Sequence, residues 1–168
     1  FSSAGEEKDN QDSCLILPEV GGDKGLHLFA VFDGHGRFGA RVAQLAKSSV
    51  ASFLDPKAIR ETQSMEPDDR SLAINEALTE VFSKLQSLIE FQVEFDATAS
   101  GCTALVVLAV DGDIFVANTG DSRAVIAHAK KEKKQKSLDE RERLHVAQVS
   151  TDHVPSIREE RERIETMG

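Results

Sequence analysis

Three aspartates lie at the ends of predicted elements: Asp12 in NQDS, Asp33 in FAVFDGHG and Asp121 in ANTGDSR. A carboxylate at a strand end is held rigidly and still faces an opening, which suits the binding of a hard cation through oxygen. Oxygen ligands favour magnesium or manganese over zinc. Gly34 follows Asp33, and its carbonyl could approach the same ion because no side chain crowds it. Aspartates before turns are also common as turn or capping residues, so spacing leaves both roles open.

His35 stands in the same glycine-containing turn. Its imidazole could protonate a leaving oxygen or order a water near neutral pH, or it could only hydrogen-bond the backbone of the turn. The remaining histidines lie in strand-like or pre-proline contexts and are interpreted as structural: His27, His128, His145 and His153. Asp111 and Asp113 flank a glycine in a turn that is too short for a calcium loop.

Other sites for phosphoryl transfer or hydrolysis fit the sequence less well. In a phosphatase of the haloacid-dehalogenase type, Asp33 would be the nucleophile and a second aspartate would stand two positions later, where this chain has His35. The sequence also lacks a GxxxxGKS/T phosphate loop and a GxSxG nucleophile elbow.

The surrounding segments predict the elements that position these residues. LHLFAVF at 26–32 is almost continuously apolar, which is typical of a strand buried on both faces. From Phe38 to Leu54 apolar residues recur at helical spacing, and Pro56 ends that pattern. Between 68 and 90 they step by three and four, which predicts a second helix with one stripe in the core.

Strand patterns dominate the second half of the chain. Residues 102–110, 114–118 and 122–128 are separated by short turns, so we expect them to pair as an antiparallel meander, and 144–150 is a further predicted strand. Helices that cover a largely antiparallel sheet make this an α+β fold.

The charged segments between and after these strands predict a loop and a helix. Residues 130–143 carry seven basic and four acidic side chains and only one leucine. Because so little apolar surface cannot join a core, the segment is predicted to form a mobile loop. Pro155 is expected to open a helix supported by the pairs Arg158/Glu162 and Glu159/Arg163.

Composition restricts the class of protein. The chain has 168 residues, 20 Lys+Arg and 29 Asp+Glu, a net charge of −9 that argues against a nucleic-acid partner. No apolar run reaches the roughly 20 residues of a membrane span, and the start lacks the features of a secretory signal. Two cysteines cannot form a disulfide framework or a four-cysteine zinc site, so an intracellular location, cytoplasmic or nuclear, is expected, with both thiols in the core.

Taken in order, five motifs resemble those of the type-2C metal-dependent Ser/Thr protein phosphatases: NQDS at 10–13, FAVFDGHG at 29–36, ASGCTALVV at 99–107, ANTGDSRAV at 117–125 and STDHVPSIREERERI at 150–164. The resemblance implies an αββα sandwich, two antiparallel sheets flanked by helices, with a dinuclear Mn²⁺ or Mg²⁺ site at one end of the sheets. It also implies phosphoserine and phosphothreonine in proteins as the substrates.

The same resemblance assigns roles to individual residues. Asp33 is expected to bridge both metals, Gly34 to offer a backbone carbonyl, and Asp12 to bind metal-coordinated water. His35 is expected to be the general acid, and Asp121 to bind a further, weaker metal. Two metals can activate a bridging water that attacks phosphorus directly, so no nucleophilic side chain is required.

Other residues of these motifs are expected to have structural roles. Thr98, Ser100 and Thr103 are interpreted as strand residues, and Arg123 as a structural partner of a neighbouring loop.

The sequence also departs from the family pattern. Gln11 stands where many members have an acidic residue, and Lys8 is the candidate to replace an arginine that binds substrate phosphate, although it lacks the bidentate grip of arginine. Two later metal aspartates of the family would follow Gly168. Residues 1–168 are therefore interpreted as an incomplete, amino-terminal part of the catalytic domain that is inactive and self-associates in isolation. The alternative is a non-catalytic, phosphatase-like interaction or regulatory module.

Overall fold

The computed structural model describes residues 10–129 and 144–167, so Lys8 and the whole of the predicted loop at 130–143 lie outside the described residues. A five-stranded antiparallel sheet is its centre, with the strand order β1-β2-β4-β5 and β3 paired to the end of β2. Its strands are β1 (Asp12–Leu17), β2 (Leu26–His35), β3 (Gly101–Cys102), β4 (Ala104–Val110) and β5 (Asp113–Thr119). The α+β class is confirmed.

Helices cover one face of this sheet. They are α1 (Gly39–Ser49), which continues as a 3₁₀ turn over Val50–Phe53, α2 (Pro56–Glu61), which continues over Thr62–Ser64, and α3 (Pro67–Phe91). The long second helix is thus confirmed, but α2 was not predicted. Asp55 caps α2 by accepting from the backbone N–H groups of Lys57 and Ala58, and Pro56 occupies the first turn, where its missing N–H costs nothing.

The core lies between this face and the helices. Alternate residues of β2 point into it and are almost fully buried: Leu26, Leu28, Ala30 and Phe32. The stripe of α3 meets them with Ile74, Leu78, Val81 and Leu85. The prediction that β2 is buried on both faces is wrong, because Phe29 and Val31 between the buried positions are 41% and 42% exposed.

The predicted meander is confirmed for β4 and β5 and is wrong for the next strand. β6 (Val125–Ala129) begins later than expected and pairs with β7 (Leu144–Gln148) in a separate two-stranded sheet. The chain leaves β5 at Gly120, whose φ of 92° favours glycine, and Asn118 there donates to the carbonyl of Thr151 over 2.7 Å. These contacts direct the chain away from the edge of β5.

The last described helix, α4 (Arg158–Met167), begins three residues after Pro155 rather than at it. Arg158 Nε lies 2.8 Å from Glu162, as expected. Arg163, however, pairs with Glu160 rather than Glu159, since residues three apart also face each other on a helix. Within the described residues, no helix is long and apolar enough to cross a membrane.

Ion pairs occupy the turn between β4 and β5, at the end of β4 farthest from Thr103. Asp111 accepts hydrogen bonds from Arg60 and Gln63, and Asp113 accepts one from Arg70. Arg60 also forms an ion pair with Asp23, which lowers the pKa of Asp23 to about 2. Both turn aspartates thus connect the sheet to α2, α3 and the 3₁₀ turn between them.

The second face of the sheet is apolar and open among the described residues. Neighbouring strands bring Ile16, Phe29 and Val107 into one row across it, and Ile16 is 72% exposed. Cys14 lies on this face and is exposed, so the prediction that both cysteines are core residues is wrong for Cys14; Cys102 is half-buried. A contiguous apolar surface of this kind promotes association.

We therefore predict that the 168-residue chain self-associates through this face, and that Phe29→Lys shifts it towards monomer because a desolvated ammonium opposes contact between two apolar faces. Phe91→Lys, at an exposed site on the last turn of α3, is the matched control and leaves the association unchanged. Sedimentation velocity over a concentration series measures both. A wild-type chain that stays monomeric throughout would contradict the prediction.

Candidate active site

Asp12 and Asp33 are directly opposite each other in the pairing of β1 with β2. In an antiparallel pair, opposite side chains point to the same face with Cβ atoms about 5 Å apart. The two carboxylates, separated by 21 positions along the chain, are thus brought together at the start of one strand and near the end of the next.

Thr103 connects Asp33 to the segment that carries Asp121. Its Oγ1 accepts from the N–H of Asp33 at 3.0 Å, its own N–H donates to the carbonyl of Asp33 at 2.9 Å, and its Oγ1 lies 2.7 Å from Ser122 Oγ. Asp121 precedes Ser122 and is placed near the carboxylate pair. Thr103 lies between β3 and β4, so its interpretation as a strand residue is wrong, and no sequence pattern indicated this connecting role.

The electrostatics of the pair follow from this placement. Partial desolvation raises the pKa of Asp33 above its ordinary value, the charge of Asp12 and a hydrogen bond with it raise the pKa further, and Asp121 adds to the effect. His35 acts in the opposite direction. Like charges that gather at a strand end are a local excess of negative charge, which a bound cation would neutralise.

Gly34 allows three segments to meet behind these carboxylates. A Cβ at Gly34 would lie 2.4 Å from the carbonyl oxygen of Gly39 and 2.7 Å from that of Gln11, which also accepts from the Gly34 N–H. Packing therefore requires glycine here, in addition to any role for its carbonyl. Gln11 donates from Nε2 to the carbonyl of Gly36 at 3.1 Å and so helps to close the turn, a role that sequence reasoning did not find.

His35 is exposed at the end of β2 and packs beside Gly101, where an added Cβ would lie 2.8 Å from its Nε2. On this side lies a groove of about 680 Å³, formed by His35, β3, the end of α3 and the segment 92–100. Thr98 and Ser100 belong to that segment and not to a strand, which corrects their interpretation. Ser100 Oγ accepts from the N–H of Phe38 at 3.0 Å and joins the segment to α1.

The two remaining polar residues near the site have structural roles. Cys102 also lines the groove, and burial together with the charge of Asp33 raises the pKa of its thiol to about 11, so it is not an activated nucleophile. Arg123 forms an ion pair with Asp152, lowering the pKa of that carboxyl and tying the β5–β6 connection to the segment before α4. The expectation that Arg123 is a partner of a neighbouring loop is confirmed.

Comparison with known proteins identifies the family. The family model described as Protein phosphatase 2C matches residues 2–168. The chain belongs to the protein phosphatase 2C family. It is 34% identical over 164 residues to Probable protein phosphatase 2C 35 of Arabidopsis thaliana, which covers 96% of this chain and 40% of that protein. It is 31% identical over 177 residues to Probable protein phosphatase 2C 48 of Oryza sativa subsp. japonica, covering 97% and 47%.

A third relative has a composite name. The Protein kinase and PP2C-like domain-containing protein of Oryza sativa subsp. japonica is 32% identical over 177 residues, which cover 100% of this chain and 23% of that protein. The chain thus spans less than half the length of each of these curated relatives.

The residues at the strand ends fit a hard divalent cation of the kind expected for protein phosphatase 2C. Asp12 and Asp33 supply paired carboxylate oxygens whose mutual repulsion a cation would relieve, and the backbone of Gly34 adjoins them. Within 10–129 and 144–167, however, no three His, Cys, Asp or Glu side chains lie close enough together to hold a metal ion. The described residues therefore offer oxygen donors suited to a hard cation, but only a few of them.

The raised pKa of Asp33 predicts a pH-dependent cost in stability for the metal-free chain. The folded state retains a proton that the unfolded chain has lost, so the free energy of unfolding falls as pH rises from the ordinary carboxyl pKa of about 4 through the higher folded value. Asp33→Asn removes the charge, and we expect its melting temperature relative to wild type to be higher at pH 7 than at pH 3.5. Thermal melts with EDTA measure this. A difference that is constant with pH would contradict it.

Proposed function

We propose that the protein is a metal-dependent protein serine/threonine phosphatase that hydrolyses phosphoserine and phosphothreonine by means of a metal-activated water. Membership of the protein phosphatase 2C family supports the reaction class. The single structural observation that carries the proposal is the β1–β2 register, which places Asp12 opposite Asp33.

In this proposal the carboxylates bind the metals. Asp33 would bridge two Mn²⁺ or Mg²⁺ ions, Gly34 would add its backbone carbonyl, Asp12 would hold water of the metal shell, and Asp121 would contact a third, weaker ion. When bound, such a pair of ions supplies a nucleophilic hydroxide and neutralises phosphate charge. The strands hold the carboxylates in place before the metal arrives, which reduces the reorganisation needed for binding.

His35 is the proposed general acid. It follows Asp33 by two residues, is exposed, and lines the groove, so its imidazole can reach a leaving group that lies there. A seryl or threonyl oxygen that leaves phosphorus requires a proton, and an imidazole can donate one near neutral pH. Lys8 is the proposed contact to substrate phosphate; it lies outside the described residues.

Asp33→Asn tests the metal assignment in the full-length protein. Asn retains the shape of Asp but loses the charge, and because changes even to partners of metal ligands cost about 10- to 100-fold in metal affinity or activity, we expect at least that loss in Mn²⁺-dependent hydrolysis of an aryl phosphate. Asp68→Asn, on the exposed first turn of α3, is the matched control and retains activity. Undiminished turnover by purified Asp33→Asn protein would contradict the assignment.

The 168-residue chain alone should bind Mn²⁺ poorly and show no measurable turnover of a phosphopeptide, since two carboxylates leave much of the charge of two cations uncompensated. Isothermal titration with Mn²⁺ and a phosphate-release assay measure this. Micromolar binding with turnover would show that these residues already hold a sufficient site. If the full-length protein also lacks metal-dependent turnover, the non-catalytic module is the better description.

A further inference from the structure

The groove beside His35 is a second feature of this end of the molecule, and it extends well beyond the carboxylate pair. Its walls come from the last turns of α3, the segment 92–100 and β3, and it encloses about 680 Å³. This is within the range of volumes that bind small molecules or side chains. His35 belongs to the lining, so the groove begins where the proposed proton donor is exposed.

The position of His35 indicates what occupies the groove during the reaction. A general acid must lie within hydrogen-bond reach of the oxygen that it protonates. In a phosphoprotein that oxygen belongs to the seryl or threonyl side chain, which remains attached to the substrate polypeptide. The substrate residues next to the phosphorylated serine or threonine therefore lie towards the groove, an inference that rests on the proposed function.

The charges of the lining select among possible neighbouring residues. Glu90 and Asp96 both line the groove, and among residues 10–129 and 144–167 no lysine or arginine belongs to its lining. Glu90 accepts from Gln86 Nε2 at 2.7 Å. Asp96 accepts from the N–H of Thr98 at 2.9 Å and from its hydroxyl at 2.6 Å, and these bonds lower the pKa of Asp96.

Apolar surface accompanies these charges. Ile89 and Phe95 line the same groove. A lysine or arginine side chain combines an aliphatic stem with a cationic head, so it can place the stem on such surface and the head near carboxylates. The ring of Phe95 already attracts the guanidinium of Arg41, which lies 4.6 Å from its centroid, and the charge of Arg41 is in turn paired with Glu94.

We propose that this groove binds a lysine or arginine side chain that flanks the phosphorylated residue of the protein substrate. Glu90 and Asp96 pair with the cationic head, and Ile89 and Phe95 contact its stem. The net charge of −9 adds a long-range attraction for basic segments. The groove thus makes the phosphatase selective for phosphorylation sites in basic sequence contexts.

Matched phosphothreonine peptides test this on the full-length protein. One set carries arginine on either side of the phosphothreonine and the other carries glutamate at the same positions; fluorescence anisotropy gives the dissociation constant of each, and steady-state kinetics with Mn²⁺ gives KM. We expect the arginine peptides to bind about fivefold more tightly, and Glu90→Gln to reduce that preference about two- to threefold, as expected for charge pairs near the surface. Glu80→Gln, on an exposed turn of the same helix, leaves the preference unchanged.

The double variant Glu90→Gln/Asp96→Asn is expected to reduce the preference for arginine peptides most. Because Asp96 also accepts hydrogen bonds from Thr98, the single variant Glu90→Gln shows the loss of charge without a change in that turn. Equal affinity of the wild-type protein for both peptide sets, or a preference that keeps its wild-type size in both variants, would overturn the proposal. Turnover of a small aryl phosphate separates this from the proposed function, since that substrate has no cationic side chain to pair with Glu90 and Asp96. We expect the groove variants to hydrolyse the aryl phosphate at the wild-type rate. A wild-type protein that does not hydrolyse it would contradict the proposed function, and the peptide affinities measured by anisotropy would still test the groove.

Discussion

The pairing of β1 with β2 is the constraint on which the candidate site depends. Its register places Asp12 opposite Asp33, and the same strand carries Gly34 and His35 immediately beyond. If β2 shifted by one residue in this register, Asp33 would turn towards the helices, and the core residues Leu28 and Phe32 would turn to the open face. The hydrophobic core therefore fixes the geometry of the polar end: the helices that bury one face of β2 also determine which carboxylates meet.

This arrangement stabilises the fold in one place and destabilises it in another. Burial of the alternate residues of β2 under α3 favours folding. Partial desolvation of Asp33 and the nearby charge of Asp12 raise the pKa of Asp33 and oppose folding at neutral pH. Gly34 permits α1 to start close behind the carboxylates, where any side chain would collide with the backbone of Gly39. Local repulsion that a ligand relieves is common at functional sites, because the surrounding structure holds the groups in place.

Sequence reasoning found the elements with strong local signals. The three- and four-residue spacing of Ile74, Leu78, Val81 and Leu85 predicted α3, and FAVFDGHG predicted a strand that ends in a charged turn. The predictions from sequence failed where the structure of a segment depends on contacts with residues distant in the chain. The continuous apolar run of β2 conceals which of its residues face the helices.

Contacts between distant segments explain the other differences. The pairing of β6 follows from the turn at Gly120 and from a hydrogen bond to Thr151, about 30 residues later, which no local pattern encodes. The same holds for Thr103, whose hydroxyl meets both Asp33 and Ser122. The motif order nevertheless singled out Asp12 and Asp33, which the pairing of β1 with β2 places opposite each other although 21 positions separate them.

Anomalous diffraction from crystals of the full-length protein grown with Mn²⁺ locates the metal relative to Asp12 and Asp33. We expect an anomalous peak within about 2.5 Å of a carboxylate oxygen of Asp33, on the side that faces Asp12 and Gly34. Mn²⁺ bound elsewhere, with Asp33 contacting only protein atoms, would contradict it.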